Sequence, residues 1–312
     1  MNRRKFIKHT GIAGSLAPFA ISPAFSFGVK APELEVHVFS KHLHFLDYAE
    51  MARTAADLGF DGVDLTVRPD GHVVPEQVQR DLPKAIEAIR NEKLLHRMIT
   101  TAVDDAHDET DRQVLKTAAE LGIEYYRMNW LRYDDQRSMP ESMKTFQSRI
   151  HELGALSSQL GIIGCYQNHA GTMAGAALWE VHQMLEDAKP AGMGVQYDIR
   201  HATVEGGLSW ENGLQLVQPR IRTLVLKDFK WEKKNGRWDL INTPIGEGMV
   251  DFTRYFRLLK KYEINVPVSV HFEYPLGGAE HGSRELSVSK SEVFHAMEKD
   301  LNTIRSLWRS VH

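Results

Sequence analysis

The sequence predicts an α/β fold, a single (β/α)8 barrel, on three observations. Apolar runs of strand length recur about every 35 residues over roughly 280 residues, the period of one strand–helix unit. Helical stretches end in Leu-Gly and run at once into the next apolar segment, at Leu58-Gly59-Phe60, Leu121-Gly122-Ile123 and Leu160-Gly161-Ile162. Glycine stops a helix there because it accepts a left-handed backbone without steric cost. No Gly-x-Gly-x-x-Gly phosphate turn follows the first apolar run, which argues against an open, doubly wound sheet.

Taken in order, the first strand is Leu34–Phe39. A helix follows in which Tyr48, Met51, Ala52 and Ala55 share one face, and the second strand is Gly62–Val67. The third is Met98–Val103. A helix with Val114, Ala118 and Leu121 on one side leads to the fourth, Tyr125–Asn129. Ile162–Gln167, Gly194–Asp198, Arg222–Leu226 and Pro267–Phe272 complete the eight. The last helix, Val293–Trp308, sets Phe294, Met297, Leu301, Ile304 and Trp308 along one side. It opens with Ser289-Lys290-Ser291-Glu292, a capping box in which hydroxyl and carboxylate satisfy free amides.

Composition narrows the function classes. With 312 residues, 42% hydrophobic and 25% charged, the chain is of globular type, which excludes disordered, collagen-like and coiled-coil readings. The 38 basic against 41 acidic residues give no basic excess, so nucleic acid is not an expected partner. A single cysteine, Cys165, excludes an intrachain disulfide and a zinc site built on several thiolates. At the amino terminus, Asn2-Arg3-Arg4-Lys5-Phe6-Ile7-Lys8 resembles a twin-arginine export signal. The uncharged run Gly11 to Phe27 behind it is interrupted by Pro18 and Pro23 and falls short of the ~20 unbroken apolar residues that span a bilayer. The expectation is a removable signal over residues 1–28 and a barrel domain over 29–312. The mature protein would then be exported to the periplasm, with no stable membrane insertion.

Barrel active sites are built at the carboxyl ends of the strands, and the polar residues gather there. The second strand runs into Arg68 and His72, the third into Asp104 and Asp105, and the fourth into Arg127-Met128-Asn129-Trp130. The fifth ends Tyr166-Gln167-Asn168-His169 and the sixth Tyr197-Asp198-Ile199-Arg200-His201. The seventh ends Leu226-Lys227-Asp228, the eighth His271-Phe272-Glu273-Tyr274. Asp104, Asp105 and Asp228 equally suit helix caps or loop hydrogen bonds, and Arg68 and Lys227 solvated charges. Ionisable or amide groups at the ends of all of strands five to eight favour a site, because a charge in a barrel mouth is costly unless paired or used for binding.

At these residues the chain resembles the sugar isomerase/epimerase superfamily of xylose isomerase-like TIM barrels, which includes inosose dehydratases and ketose 3-epimerases. The likeness is carried by Tyr166 to Thr172, by Gln196-Tyr197-Asp198-Ile199-Arg200-His201, by Leu226-Lys227-Asp228 and by Pro244 to Phe252. The resemblance implies one divalent metal held by Glu, Asp, His and Glu from strands five to eight. Here Asp198 matches, whereas Gln167, Val225 and His271 stand in the other three positions. A metal on Gln167, Asp198 and His271, completed by Glu273 or His169, would suit Mn²⁺, Mg²⁺, Co²⁺ or Zn²⁺. A metal-free site is the alternative.

The resemblance further implies that His201 binds substrate oxygens. Glu273 and Lys227 are the candidate base and acid for removing a proton beside a carbonyl, with Lys227 alternatively a fixed cation for an oxyanion. Arg68, Arg127 and His169 are expected to bind hydroxyls of a small-molecule carbohydrate, and Trp130, Tyr166 and Phe229 to supply ring surface. The expected reaction is isomerisation or epimerisation of a sugar or keto-sugar. The other readings are elimination or hydration of a keto-sugar or oxidised glycoside, and a sugar-binding barrel without catalysis. Nuclease activity, known among relatives of this barrel, does not suit the acidic charge balance. An oligomer is compatible with the resemblance.

Overall fold

The computed structural model describes residues 33–311, so the expected export signal lies outside the described residues. The strands in chain order are β1 (Val36–Phe39), β2 (Gly62–Val67), β3 (Leu95–Thr101), β4 (Tyr125–Arg127), β5 (Ile163–Gln167), β6 (Met193–Asp198) and β7 (Ile221–Leu226). Then come a hairpin, β8 (Asp228–Lys234) and β9 (Arg237–Thr243), and the eighth barrel strand, β10 (Val268–Val270). All eight barrel strands are parallel and the barrel is closed, in the order β1-β10-β7-β6-β5-β4-β3-β2. The predicted (β/α)8 barrel is therefore the fold.

The helices are α1 (Tyr48–Asp57), α2 (Val78–Asn91), α3 (Glu109–Glu120), α4 (Met139–Leu160), α5 (Leu178–Met184), α6 (Ile199–Gly206), α7 (Trp210–Val217), α8 (Phe252–Lys261) and α9 (Lys290–Ser310). Gly59, Gly122 and Gly161 take φ of 86°, 80° and 74° just past α1, α3 and α4, the left-handed stops read from Leu-Gly. Asp47 and Asp108 cap α1 and α3, and α4 and α9 open with full capping boxes at Ser138–Glu141 and Ser289–Glu292. On α9 the inner face carries Met297, Leu301, Ile304 and Trp308 as expected. Phe294 is only half-buried, and Val293 lies inside. Asp300 lies buried on that face, accepting from the Tyr274 hydroxyl at 3.0 Å and the Ile245 amide at 3.3 Å.

Three strands stop two residues short of their expected ends: β4, at Arg127, and β3 and β10, in each of which a side chain takes over a ladder partner. The Thr101 hydroxyl donates to the Arg127 carbonyl and accepts from Val103 N, ending β3 two residues early. Past β10, the Phe272 amide donates to His42 Nε2 instead of to a strand. The hairpin β8–β9 is an addition that periodicity did not predict. Its two-residue turn is Asn235 (φ 49°) and Gly236 (φ 81°), the pair that a tight hairpin with both central residues left-handed demands.

Candidate active site

Lys227, the first residue past β7, is the centre of the barrel mouth. Its ammonium lies 3.2 Å from Asp198 Oδ2 and 3.3 Å from Glu273 Oε2, and the side chain is 3% exposed. Asp198 is held rigidly, because it ends β6 and caps α6. Its Oδ1 accepts the His201 amide at 3.0 Å, and its Oδ2 accepts Gln167 Nε2 at 2.9 Å besides Lys227. The Asn168 side chain exchanges two hydrogen bonds with the Asp198 backbone, 2.8 and 2.9 Å, locking the ends of β5 and β6 together. Burial raises the Asp198 carboxyl above the ordinary carboxylate range, with Lys227 the chief opposing influence.

Glu273 lies among three nitrogens. Besides Lys227, Lys41 Nζ and His271 Nδ1 each stand 3.7 Å from Oε1. Burial alone would raise its pKa; Lys227, His271 and Lys41 together outweigh burial and hold it well below the usual range. Glu273 is thus a carboxylate poised beside a buried ammonium.

The histidines around the mouth are neutral. Burial lowers His271 to about 3 and His169 to about 4, and takes His201 well below its ordinary value. His201 Nδ1 accepts from Arg200 Nη1 at 2.9 Å, and since arginine only donates, the proton sits on Nε2, which lies 3.6 Å from Asp198 Oδ2 and has no hydrogen-bond partner. His169 Nδ1 lies 3.0 Å from the Ala170 carbonyl, which only accepts, so its Nε2 is an acceptor. The two rings stand 4.0 Å apart, with Trp130 against His169 at 4.6 Å. His271 stacks on Phe39 at 4.1 Å, with Nδ1 toward Glu273 at 3.7 Å and Nε2 without a hydrogen-bond partner. The mouth therefore presents an ammonium, a carboxylate and the Nε2 atoms of His169, His201 and His271 to a ligand.

These residues do not fit a divalent metal. Asp198 already accepts three donors, Gln167 turns its amide nitrogen toward Asp198 and its carbonyl toward Arg127 Nη1 at 3.3 Å, and the free nitrogen of His201 carries a proton. Among the described residues no group of three or more His, Cys, Asp or Glu side chains could hold a metal ion. The structure brings Gln167, Asp198 and His271 to one mouth, as expected, yet Gln167 and Asp198 are engaged with each other, with Arg127 and with Lys227, and His271 faces Glu273. An ammonium lies between the two carboxylates instead.

Arg68, Arg127, His169 and His201 also reach the mouth. Arg127 lies over the Trp130 ring at 4.2 Å and Arg68 over Phe39 at 5.6 Å. Two of the expected ring surfaces are elsewhere. Tyr166 is fully buried, its hydroxyl donating to the Ala174 carbonyl and accepting from Leu131 N, so it pins a loop. Phe229 is buried beside the Arg200 guanidinium. Asp228 organises its own loop, Asp104 pairs with Arg149 at 3.2 Å, and Asp108 caps α3.

Sequence reasoning missed Lys41, Arg200 as a positioning residue, and Asn242 on β9. Asn242 accepts from Arg200 at 2.7 Å and donates to the Glu273 carbonyl at 3.1 Å, tying the hairpin to the site. Lys41 was findable by its place just past the first strand, and the hairpin by Asn235-Gly236.

Solved structures of similar fold cover most of the chain. A 3-keto-D-glucoside 4-epimerase from E. coli is 14% identical with a TM-score of 0.64, covering 88% of this chain and 100% of its own. A D-allulose 3-epimerase from Methylomonas sp. is 15% identical with a TM-score of 0.66, over 88% and 98%. The probable 3-DHS dehydratase AsbF from Bacillus anthracis is 12% identical with a TM-score of 0.61, over 86% and 99%. No curated protein matches the chain. The family model described as xylose isomerase-like TIM barrel matches residues 52–288, spanning strands β2 to β10 with all of the site but Phe39 and Lys41, and the chain belongs to that family.

Proposed function

We propose that this chain is a carbohydrate-active enzyme of isomerase or epimerase type that removes a proton beside the carbonyl of a sugar or keto-sugar. The observation that carries the reading is the Lys227 ammonium held 3.2 and 3.3 Å from Asp198 and Glu273 at the strand ends. Glu273 is the base and Lys227 the electrophile. As the proton leaves carbon, negative charge grows on the carbonyl oxygen, and a fixed, buried ammonium stabilises it without solvent rearrangement. Lys227 drawn toward that oxygen loosens its hold on Glu273, which raises the carboxylate's basicity when it is needed. Asp198, anchored by Gln167, His201 and Asn168, keeps the ammonium in place. His201 Nε2–H and His169 Nε2 orient hydroxyls. In this reading Lys227 takes the role that a divalent metal would otherwise have.

The amino-terminal arginine pair supports export by the twin-arginine route and so a periplasmic site of action, where free or oxidised glycosides suit better than phosphorylated sugars. A second reading, elimination from the same enolate, is favoured by the unpartnered Nε2–H of His201, a donor that can assist a departing hydroxyl.

Incubation with a panel of keto-sugars in deuterated water tests the reading by NMR. Label entering the carbon next to the carbonyl, retained after dialysis against chelator, is the expected result. No exchange with any member of the panel would sink it. Exchange abolished by chelator would return the cation's role to a metal.

A further inference from the structure

The charges at the barrel mouth do not balance, and the imbalance is concentrated on one side. Five cationic side chains face it: Lys41, Arg68, Arg127, Arg200 and Lys227. The two carboxylates there, Asp198 and Glu273, are taken up by Lys227 and Lys41. Arg200 has short bonds to two neutral acceptors, Asn242 and His201. Asp64, deeper in the barrel, is satisfied by Ser269 at 2.7 Å and Thr100 at 3.0 Å, and burial raises its pKa.

Arg68 and Arg127 are left over. Among the described residues neither has a carboxylate within salt-bridge distance. Arg127 is 4% exposed, yet its hydrogen bonds are long, 3.3 Å to Gln167 Oε1 and 3.4 Å to the Thr101 carbonyl, and its Nε has no partner. Among the described residues the Arg68 side chain has no hydrogen-bond partner, and it rests on the Phe39 ring. Burial, with Arg68 nearby, lowers Arg127 to about 9, and burial lowers Arg68 against the opposing pull of Asp64, Glu273 and Asp70. A buried guanidinium such as that of Arg127 is costly without an ion-pair partner, and a second, half-buried one at the same rim adds to the cost. Aromatic faces, Phe39 beneath one and Trp130 beneath the other, hold both guanidinium groups.

Their position is as informative as their charge. In the barrel order β3 lies diametrically opposite β7, and Arg68 and Arg127 come from β2 and β4 on either side of β3. They flank the rim opposite Lys227, and Arg127 is joined to Lys227 through Gln167 and Asp198, so both ends belong to one connected polar rim. We propose that the substrate is an acidic sugar whose oxyanion is bound by Arg68 and Arg127, across the mouth from its reacting carbonyl at Lys227 and Glu273. Guanidinium forks match carboxylate and phosphate alike; a carboxylate on the carbon chain, as in a uronic or keto-aldonic acid, suits an exported protein better than a phosphate ester. This inference deepens the reading above and rests on it for the placement of the carbonyl.

Calorimetric titration of the full-length protein with matched ligands decides it. The panel pairs neutral keto-sugars with the corresponding sugar acids and sugar phosphates, against wild type, Arg68→Gln and Arg127→Gln, with folding of each variant checked by thermal melting. Wild type is expected to bind an acidic member at least about tenfold more tightly than its neutral counterpart, with the preference shrinking in high salt. In Arg68→Gln, which alters a partly exposed residue outside the core, the acid-to-neutral ratio should fall to within about threefold. Preference for carboxylates or for phosphates each supports the subsite and names the group. Equal binding of acid and neutral sugars, no binding of any acid, or a preference that survives both arginine variants overturns it. Acid preference without deuterium exchange in any bound sugar would leave the subsite standing and remove the proton-abstraction reading.

Discussion

Lys227 is a single residue on which both the charge balance and the chemistry of the mouth depend. Lys227→Met keeps the length and removes the charge, leaving Asp198 buried with one fewer donor and Glu273 without its nearest cation. Breaking a buried pair from one side costs about 3 kcal/mol, so denaturant unfolding should show a loss of that order. Carbon–deuterium exchange should fall by at least about a hundredfold, the usual loss when an oxyanion-stabilising donor is removed. Glu273→Gln separates the two effects: the amide keeps the shape and loses the base, so exchange should vanish, while the loss of stability should be smaller than in Lys227→Met because Lys227 keeps Asp198 and Glu273 is 24% exposed. A variant whose exchange survives Glu273→Gln would move the base elsewhere in the mouth.

Among the elements, the β8–β9 hairpin is the one whose placement bears most on the site, through Asn242. It is moored by Asp228, whose carboxylate accepts from the amides of Phe229 at 2.8 Å, Gly248 at 2.9 Å, Gly246 at 3.0 Å and Val250 at 3.1 Å. A carboxylate is needed because four donors converge on it. Asn in its place would turn an NH₂ toward N–H groups, so Asp228→Asn should lose about 2–3 kcal/mol and speed amide exchange at Gly246 and Gly248. A Cβ at Gly248 would meet the Asp228 carboxylate, so Gly248→Ala should disturb the same mooring. The capping box of α9 is a smaller, separable contribution. Ser289→Ala should cost about 1 kcal/mol in the same unfolding measurement, with no change in ligand binding.

At the scale of the whole molecule, a buried carboxyl couples stability to pH. Asp300 is 1% exposed, and burial, its largest influence, raises its pKa to about 7 from an ordinary 3.8, with the Tyr274 hydroxyl partly offsetting. The unfolded chain releases this proton near the lower value and the folded chain near the higher. Between the two the folded state holds more protons, so this group's stabilisation is full below about 4 and is lost as pH rises through about 7. Asp300→Asn mimics the protonated form: its oxygen can accept the Ile245 amide and its NH₂ can donate to the Tyr274 oxygen. Unfolding measured from pH 4 to 8 should show the variant gaining on wild type as pH rises, by about 2–4 kcal/mol at the upper end. Parallel curves would place the Asp300 proton outside this range.

Much of this fold was legible in one dimension. Leu-Gly stops marked three helix ends, amphipathic spacing marked the inner faces of α1 and α9, and strand ends marked where charge would collect, because a barrel brings all its carboxyl ends to one rim. The candidate residues Gln167, Asp198, His201, Lys227, His271 and Glu273 were readable for that reason. Their pairing was not. Periodicity states which face a side chain takes, whereas the choice of which cation meets which carboxylate rests on strand tilt, on Asn168 locking β5 to β6, and on the way Arg127 turns the Gln167 amide. Those are differences of an ångström or so between residues far apart in the chain. They turn an expected metal cradle into an ammonium between two carboxylates, and they leave two arginines facing the mouth without an anion.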